Sequence, residues 1–338
     1  MDRWIIIIAA VVAYAVTALM GFVLIPALKR LKYGQTILDI GPNWHKSKEG
    51  TPTMGGLMMI AGALVALAAA VIIIFTVGRT DSALRLEMSG GRLARLLAGM
   101  GLALFMSLIG FVDDYIKVVK KRNLGLTAKQ KTFAQLLIAA AYLFTLYMSG
   151  MHTTELPFVG TVDITHGFGL VFWPIALMFI YGFTNAVNLT DGIDGLATTV
   201  TAVVAAFFMF SSIRLLNYSA DLFAVILAGV CIGFAMWNLH PAKVFMGDTG
   251  SMFLGGCVVG LSFMIDRPIL LILAGIVYLC EAMSVVIQVA YFKRTGRRIF
   301  KMSPIHHHFE LSGWSENKIV LVFSLVAALG CAVAVLLI

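Results

Sequence analysis

Charged side chains are scarce in this 338-residue chain: aspartate, glutamate, lysine and arginine together make up 12% of it, whereas hydrophobic residues make up 60%. A soluble globular domain carries about 25% charged residues, so the composition excludes that class. A chain this apolar is divided into membrane spans rather than into soluble domains of about 150 residues. The sequence therefore predicts a polytopic membrane protein.

Ten apolar runs are candidate membrane spans, since a helix needs about 20 mainly apolar residues to cross a bilayer. The ten spans are Trp4–Leu28, Met54–Val77, Leu93–Val112, Phe133–Met148, Phe168–Val187, Leu196–Leu216, Leu222–Leu239, Met252–Ile265, Ile269–Phe292 and Ile319–Ile338. No internal repeat, low-complexity linker or soluble appendage of domain size interrupts them. Residues 1–338 are therefore expected to form a single all-α catalytic membrane domain.

Cysteine is also scarce, and its placement argues against thiol chemistry. The four cysteines all lie inside apolar spans, where packing residues are expected rather than disulfide bonds or a metal cluster: Cys231, Cys257, Cys280 and Cys331.

Glu281 and Gln288 lie inside the ninth span and are expected to hydrogen-bond in the bundle interior without a further role. The first span is too long for a signal-peptide core and lacks an A-x-A-like cleavage site, so it is expected to stay in the mature protein.

Basic residues are divided unevenly between the two membrane faces that ten spans define. The loops 29–53, 113–132, 188–195, 240–251 and 293–318 hold 18 of the 25 lysines and arginines. The positive-inside rule makes this face cytoplasmic and both termini external. Such a face suits anionic lipid or an anionic substrate. Nucleic acid is not an expected partner, because no stacking aromatics or recognition module accompany the basic residues.

Five short polar segments interrupt the apolar sequence at the edges of spans. They are GTPTMGG, FVDDY, NLTDGIDGLA, MGDTGS and SPIHHHF. Ionisable groups at such edges are costly unless they are paired, solvated or bound to a metal, so they are functional candidates. Although the segments are far apart in sequence, all five fall on the predicted cytoplasmic face. We therefore expect them to form one site, in a cleft on that face.

Asp113 and Asp114 are adjacent at the predicted end of the third span. Neighbours on a helix point about 100° apart, so the two carboxylates suit divided labour, one for a cation and one as a base. Lys117 shares the face of Asp113 if the helix continues. The alternative is a helix end whose solvated carboxylates pair with Lys117.

The motif NAVNLTDGIDGLA carries four polar residues at three-residue intervals. They are Asn185, Asn188, Asp191 and Asp194. This spacing keeps polar groups close to one helical stripe. Gly192 lets backbone approach a ligand closely. The alternative is a glycine-rich turn between spans, in which Asn and Asp are favoured.

Two further segments add a carboxylate and cations. Asp248 precedes the eighth span, either as a helix cap or as a metal ligand beside a helix N-terminus that attracts anions. HKSKEGTPTMGG brings His45, Lys46, Lys48 and Thr53 to the start of the second span. Lys48 is predicted to contact phosphate, and the alternative is a basic stretch beside the membrane.

His306, His307 and His308 are consecutive. Consecutive side chains on a helix do not easily share one zinc ion, and no cysteine lies nearby. Hydrogen bonding to phosphate or hydroxyl groups in a polar cleft is therefore expected. Three histidines outside this run are predicted to be surface or packing residues, namely His152, His166 and His240.

Several carboxylates, lysines and a histidine run at a membrane face match Mg²⁺ and phosphate groups. Mg²⁺ prefers one or two carboxylates together with substrate phosphate oxygens. The metal and the lysines would neutralise charge on a transferring phosphoryl group. A membrane setting is needed only if one substrate is a lipid. The residues therefore predict a Mg²⁺-dependent transferase that acts on a lipid.

Taken together, GTPTMGG, FVDDYIK, NAVNLTDGIDGLA, FMGDTGS and PIHHHFE resemble the phospho-N-acetylmuramoyl-pentapeptide-transferase family, within the polyprenyl-phosphate N-acetylhexosamine-1-phosphate transferase superfamily. The resemblance covers essentially the whole chain, and GTPTMGG and PIHHHFE are the motifs more specific to this branch. It implies transfer of phospho-N-acetylmuramoyl-pentapeptide from UDP-N-acetylmuramoyl-pentapeptide to undecaprenyl phosphate, giving lipid I and UMP in peptidoglycan biosynthesis. It also implies Mg²⁺, a homodimer and the bacterial cytoplasmic membrane.

The resemblance implies roles for individual residues. Asp248 would bind Mg²⁺, and Asp113 or Asp114 would deprotonate the lipid phosphate or help to hold the metal. Asp191, His306 and His307 would belong to the catalytic centre. Asp194 and Phe245 would frame the uracil, with an interfacial aromatic as the alternative for Phe245. The other implied substrate contacts are Lys48, Thr53, Lys117, Lys129, Asn185, Asn188, Gly192 and His308.

Residue types do not decide between direct attack and a phospho-enzyme aspartate, since a carboxylate serves as base or nucleophile. Direct attack by the lipid phosphate is favoured, because one metal can align the phosphates of both substrates. Two other functions compete. A sister enzyme that transfers GlcNAc-1-phosphate would share the aspartates, whereas an ion-coupled transporter would place its ionisable site near the bilayer midplane.

Overall fold

The computed structural model of the chain describes residues 4–31, 48, 50–77, 91–119 and 125–338. Parts of the predicted loops 29–53, 78–92 and 113–132 lie outside these residues, as do His45 and Lys46. The helices are α1 Trp4–Arg30, α2 Gly56–Val77, α3 Gly91–Val119, α4 Ala128–Met148, α5 Phe172–Thr190, α6 Leu196–Arg214, α7 Tyr218–Asn238, α8 Gly247–Met264, α9 Leu271–Ala274, α10 Ile276–Thr295, α11 Ile305–Glu310 and α12 Glu316–Val335. One hairpin, β1 Thr153–Leu156 and β2 Gly160–Asp163, precedes α5.

Among the described residues, nine helices are long and apolar enough to cross a membrane, namely α1 to α7, α10 and α12. The predicted eighth span corresponds to α8, which has 18 residues and a nearly continuous run of buried side chains from Thr249 to Met264. It is therefore the central helix of the bundle, and its neighbours α3 and α5 pack directly against it. The prediction of a helical membrane protein is confirmed.

Glycines set the close packing of α3 against α8. A side chain at Gly110 would overlap the carbonyl oxygen of Asp248, and one at Gly256 would meet the backbone of Ala103. Small residues at a helix interface let backbones approach closely in a membrane bundle. As a result, the last turns of α3 touch the first turn of α8, which brings Asp113 and Asp114 to Asp248.

The third span was predicted to end before Asp113, and this prediction is wrong. Helix α3 continues to Val119, so both aspartates lie within it. Lys117 pairs with Asp113 one turn later, and Leu126 N donates to Asp113 Oδ1 over 2.7 Å. Because these donors compensate the charge of its carboxylate, Asp113 can remain in the helix at the edge of an apolar run.

Two other sequence predictions fail at backbone breaks. The ninth span is interrupted at Gly275, which separates α9 from α10. The polar stripe predicted from Asn185 to Asp194 is helical only in its first half, because α5 ends at Thr190. Asp191 and Asp194 therefore belong to the turn that joins α5 to α6, which is the alternative favoured by its glycines.

The hairpin, the start of α1 and the C-terminal residue lie away from the acid cluster. Helices α1 and α7 run in the same direction, since Gly229 packs on Ala10 and Gly233 packs on Tyr14. At the end opposite Asp248, Glu155 N donates to Asp266 O over 2.9 Å. Arg267 Nη1 lies 3.4 Å from the carbonyl oxygen of Ile338 at the same end.

The predicted absence of disulfide bonds is confirmed for all four cysteines, which are free thiols. Three are buried and Cys280 is exposed. Gln288 closes the loop after α10 by accepting from Ile299 N and Phe300 N, both over 3.0 Å, and it therefore hydrogen-bonds as expected.

Candidate active site

Three carboxylates meet where α3 and α8 touch. Oxygen atoms of Asp113, Asp114 and Asp248 all lie within 4.8 Å of one another. Asp113 and Asp114 are buried, and Asp248 is partly buried. Carboxylates this close repel unless cations or hydrogen-bond donors compensate their charge, so their partners decide what the cluster can do.

Asp114 is held by the start of α8. Its Oδ2 accepts from Thr249 N over 2.9 Å and from Thr249 Oγ1 over 2.7 Å, and its Oδ1 accepts from Asp248 N over 3.2 Å. Asp113 faces Lys117 and Leu126 instead. The predicted difference in direction between the two neighbours is therefore confirmed, and Asp114 fixes the first turn of α8.

Asp248 is the hub of the cluster. Its Oδ2 accepts from Lys131 Nζ over 3.0 Å and from Lys117 Nζ over 3.2 Å. Its Oδ1 accepts from Asn188 Nδ2 over 2.9 Å, so α3, α4 and α5 all reach the first turn of α8. Two ammonium groups beside three carboxylates form a site that can exchange its internal ion pairs for a metal and phosphate groups.

Lys131 reaches Asp248, whereas the resemblance implied a substrate contact at Lys129. Lys129 is exposed, and in the described part of the chain no ion pair joins it to an aspartate. Lys131 lies one turn after Thr127, the cap of α4, whose side chain forms a reciprocal capping box with Gln130. The sequence signal is this capping box. A helix that begins after Thr127 places Lys131, and not Lys129, one turn beyond its cap.

Asp191 lies in the turn after α5 and is partly buried. Among the described residues, no hydrogen bond or ion pair engages its carboxylate, although its backbone N–H donates to Asn188 O over 3.3 Å. Burial raises the pKa of Asp191 well above its ordinary value, and the nearby charges of Asp248 and Asp114 raise it further. Asp191 is therefore a carboxylate available to a substrate.

A second cluster surrounds Asp194, whose side chain is 3% exposed. Lys48 Nζ donates to Asp194 Oδ1 and to Glu316 Oε2, each over 2.7 Å. Asp194 Oδ2 contacts His240 Nδ1 at 3.0 Å and accepts from Ala242 N over 3.0 Å. The cluster therefore ties the turn after α5, the loop before α8 and the start of α12 together.

His240 is exposed, as expected of a surface residue, but its Nδ1 also contacts Asp194, which the sequence does not predict. His152 and His166 agree with that expectation, since both contact residues of the hairpin region at the far end of the bundle. Glu316 was also missed, because its partners are Lys48 and the Asp194 backbone, more than a hundred residues away in sequence. The sequence offers no local signal for such a pairing.

Phe245 is positioned by the segment before α2. Its N–H donates to Pro52 O over 2.9 Å, and Gly55 N donates back to its carbonyl oxygen over 2.8 Å. Gly247 follows with a φ of +69°, and a side chain there would meet Thr53 Oγ1 and Asp114 Oδ2. The GTPTMGG segment is thereby joined to the loop that carries Phe245, and Thr53 lies beside the acid cluster.

The remaining predicted contacts divide into near and distant ones. Asn188 reaches Asp248, whereas Asn185 hydrogen-bonds Gln135 and the Tyr181 carbonyl oxygen inside the bundle, over 3.0 and 2.7 Å from its Nδ2. Gly192 packs directly on the ring of His306. The structure therefore brings the histidine segment to the turn that carries Asp191.

The three histidines face different partners. His306 is buried and contacts Glu281, and His307 Nδ1 lies 2.6 Å from Glu310 Oε2. His308 Nδ1 accepts from Lys301 N over 3.1 Å, which directs it to the loop after α10.

Fold and site together define an integral membrane protein with a carboxylate- and lysine-lined site at one end of a helical bundle, the class expected of a lipid-linked phosphosugar transferase. A family model described as glycosyl transferase family 4 matches residues 96–266, which contain Asp113, Asp114, Asp191 and Asp248. Relatives over nearly the whole chain bear a more specific name.

The phospho-N-acetylmuramoyl-pentapeptide-transferase of Acetivibrio thermocellus is 43% identical over 324 residues, which cover 95% of this chain and 92% of that protein. The protein of that name from Clostridium perfringens strain 13 is 42% identical over 330 residues, 97% of each chain. The one from Staphylococcus carnosus is 43% identical over 331 residues, 95% of each. The chain belongs to the phospho-N-acetylmuramoyl-pentapeptide-transferase family.

Proposed function

We propose that this protein transfers phospho-N-acetylmuramoyl-pentapeptide from its UDP-linked form to undecaprenyl phosphate, giving lipid I and UMP. The observation that carries the proposal is the cluster of Asp113, Asp114 and Asp248 with Lys117 and Lys131 at one end of an apolar bundle. Carboxylates and ammonium groups at this position suit a reaction in which phosphates of a water-soluble and a lipid substrate meet. Family membership supports the same reaction.

The donor set fits Mg²⁺. Carboxylate oxygens of three aspartates lie within 4.8 Å of one another, and hard oxygen ligands are those that Mg²⁺ prefers. Asp248 would hold the ion, with Asp113 beside it, whereas Asp114 is already engaged by Thr249. When bound, Mg²⁺ neutralises charge on the phosphate oxygens of the reacting groups.

Lys117 and Lys131 would bind phosphate oxygens of the UDP-linked substrate. Both ammonium groups contact Asp248 and leave that carboxylate when a phosphate competes for them. An oxygen of undecaprenyl phosphate attacks the phosphorus attached to the sugar, and the bond from that phosphorus to the UMP oxygen breaks. UMP leaves with that oxygen, and no covalent enzyme intermediate forms.

Asp191 is the carboxylate that we propose takes the proton of the lipid phosphate. It is not engaged by any described donor, and its raised pKa brings it nearer to the pH at which a general base works well. Asp113 and Asp114 each accept from protein donors, which favours a role in holding the site together. His307, held by Glu310, would contact the substrate.

The nucleotide would bind near Phe245, whose ring can stack on uracil. Asp194 supports the loop before α8 by accepting from Ala242 N and pairing with Lys48. Lys48 would contact phosphate after leaving its two carboxylates. This arrangement supports a nucleotide subsite between the turn after α5 and the loop before α8.

The proposal also includes ten membrane spans, external termini, a cytoplasmic site and a homodimer in the bacterial cytoplasmic membrane. The nine long apolar helices support several spans, and α8 would be the tenth. The excess of lysine and arginine in the loops at the acid-cluster end supports a cytoplasmic site.

The decisive experiment incubates the purified protein with radiolabelled UDP-N-acetylmuramoyl-pentapeptide, undecaprenyl phosphate and Mg²⁺. We expect a butanol-soluble labelled product together with UMP, and no product when EDTA replaces Mg²⁺. Activity only with UDP-GlcNAc would instead identify a GlcNAc-1-phosphate transferase. Substrate-driven flux through proteoliposomes without UMP release would identify a transporter.

A further inference from the structure

A buried acid–histidine pair lies behind the turn that carries Asp191. Glu281, in α10, and His306, in α11, have fully buried side chains, each 0% exposed. Glu281 Oε2 lies 3.0 Å from His306 Nδ1 and 3.5 Å from His306 N. Ionisable groups excluded from water in a membrane protein are costly, so a pair retained at this depth needs an explanation.

The contact fixes how the imidazole is protonated. A carboxylate accepts hydrogen bonds, so the nitrogen that faces Glu281 carries a proton, and Nε2 is the nitrogen left for other contacts. Among the described residues, His306 Nε2 has no hydrogen-bond partner, although it is buried. An unsatisfied buried polar atom in a native protein points to a role that its neighbours reveal.

The neighbour on the Nε2 side is Gly192. A methyl group placed at Gly192 would overlap His306 Nε2 and Cε1, and the third atom nearest to it, Cδ2 at 3.2 Å, belongs to the same ring. Gly192 does not have a positive φ, so its missing side chain serves the ring rather than the backbone conformation. The edge of the imidazole therefore supports the backbone immediately after Asp191.

We propose that Glu281 is a positioning residue that acts through His306. Its carboxylate orients the imidazole, the imidazole sets the position of the Asp191–Gly192 turn, and the turn aims the Asp191 carboxylate. This inference rests on the proposed function, because Asp191 is its proposed base. It gives Glu281 a role that its place inside an apolar span did not suggest.

The first test compares Glu281→Ala, Glu281→Gln and the control Ser284→Ala in steady-state assays. Ser284 is a buried residue one turn later in α10, and its Oγ donates to the Glu281 carbonyl oxygen. Removing an outer partner of a functional histidine costs roughly 10- to 100-fold. We expect Glu281→Ala to lower kcat by about that factor with KM for both substrates changed less than about threefold.

Glu281→Gln keeps an acceptor for the Nδ1 proton and is expected to recover most of kcat. Ser284→Ala is expected to stay within about twofold of the parent, since its Oγ donates to a carbonyl oxygen within its own helix. A loss in Glu281→Gln as large as in Glu281→Ala would contradict the hydrogen-bond account. Unchanged kcat in Glu281→Ala would overturn the inference outright.

A steric test uses Gly192→Ala and His306→Ala, each alone and both combined. The single change forces the ring away and should lower kcat, whereas in the double variant the added methyl group meets no ring. The two effects are therefore expected to be strongly non-additive. Additive losses would show that His306 does not support the turn.

A spectroscopic test separates this inference from the proposed function. Nitrogen NMR of protein labelled with ¹⁵N-histidine, with His306 assigned by its loss in His306→Gln, reports which ring nitrogen is protonated. We expect protonation at Nδ1 in the parent and a shift to Nε2 in Glu281→Ala. That result would stand even if the parent released no UMP, which would refute the proposed function alone; an Nε2-protonated parent would refute the pair.

Discussion

At the scale of the residue, the site depends on which acids are engaged and which are open. Asp114 is saturated by donors from α8, Asp248 collects two lysines and an amide, and Asp191 has no partner among the described residues. Three side chains of the same type thus lie in three different environments. Local sequence does not distinguish them, because the donors come from other helices.

Asp248→Asn and Asp191→Asn are both expected to abolish Mg²⁺-dependent UMP release, since one removes the proposed metal ligand and the other the proposed base. The measurement is UMP release together with thermal unfolding of the detergent-solubilised protein, which should show an intact fold. Near-normal turnover in either folded variant would refute its assignment.

Lys131→Ala is expected to lower kcat/KM for the UDP-linked substrate. A hydrogen bond to a charged group contributes about 1.5–3 kcal/mol, which corresponds to roughly 10- to 100-fold in rate. Lys129→Ala is the matched control on the same helix turn, and we expect it to stay within about threefold because Lys129 is exposed and, in the described part of the chain, no ion pair joins it to an aspartate. Equal losses in the two variants would contradict the contact between Lys131 and Asp248.

At the scale of the element, the site exists because α3 and α8 approach closely. Gly110 touches the backbone of Asp248, and Gly250 packs on Gly56 at the start of α2. Hydropathy predicts that these segments are helices, since an apolar run near 20 residues long has few alternatives in a bilayer. It does not predict which helices touch, because that depends on where small residues on two segments face each other.

Gly110→Ala should separate α3 from α8. Overpacking costs about 1–3 kcal/mol, and here the obstacle is backbone, which cannot rotate away. We expect a lower apparent unfolding temperature in detergent and loss of UMP release.

Gly101→Ala is the control within α3, since nothing lies within 4 Å of a side chain built there. Alanine favours a helix over glycine by about 0.8–1.0 kcal/mol, so this variant should be as stable as the parent or more stable. If Gly110→Ala behaved like Gly101→Ala, the close approach of α3 and α8 would not be what assembles the acid cluster.

The element scale also explains two of the failed sequence predictions, the end of the third span and the polar stripe. Asp113 and Asp114 looked like a helix end because charges are rare in apolar helices, yet Lys117 and Thr249 supply the partners that let the helix continue. The stripe from Asn185 to Asp194 followed a helical period that the chain abandons after Thr190. At Asp114 a partner from another helix therefore overrides the local pattern, whereas after Thr190 the glycines of the turn do so.

At the scale of the whole molecule, the five polar segments meet at one end of the bundle. Phe245 pairs with the segment before α2, Asp114 with Thr249, Asn188 with Asp248 and Gly192 with His306. Counting spans was sufficient to predict this convergence. The sequence does not predict the contacts of Lys131, His240 and Glu316, since their partners lie far away along the chain.

The orientation of the bundle can be tested with single cysteines in a cysteine-free background. Thr161→Cys lies in the hairpin and Lys129→Cys at the start of α4, and both parent residues are exposed. We expect a membrane-impermeant maleimide to label position 161 in intact cells and position 129 only after permeabilisation. The reverse pattern would place the acid cluster outside the cell.

The pairing of Lys48 with Glu316 spans 268 residues of sequence. A ribosome makes the chain from its N-terminus, so Lys48 is synthesised long before Glu316. The turn that carries Asp194 likewise waits for this carboxylate, which accepts from its backbone. The cluster is therefore completed only near the end of synthesis. A chain that stops before its final helix lacks the ion pair between Lys48 and Glu316.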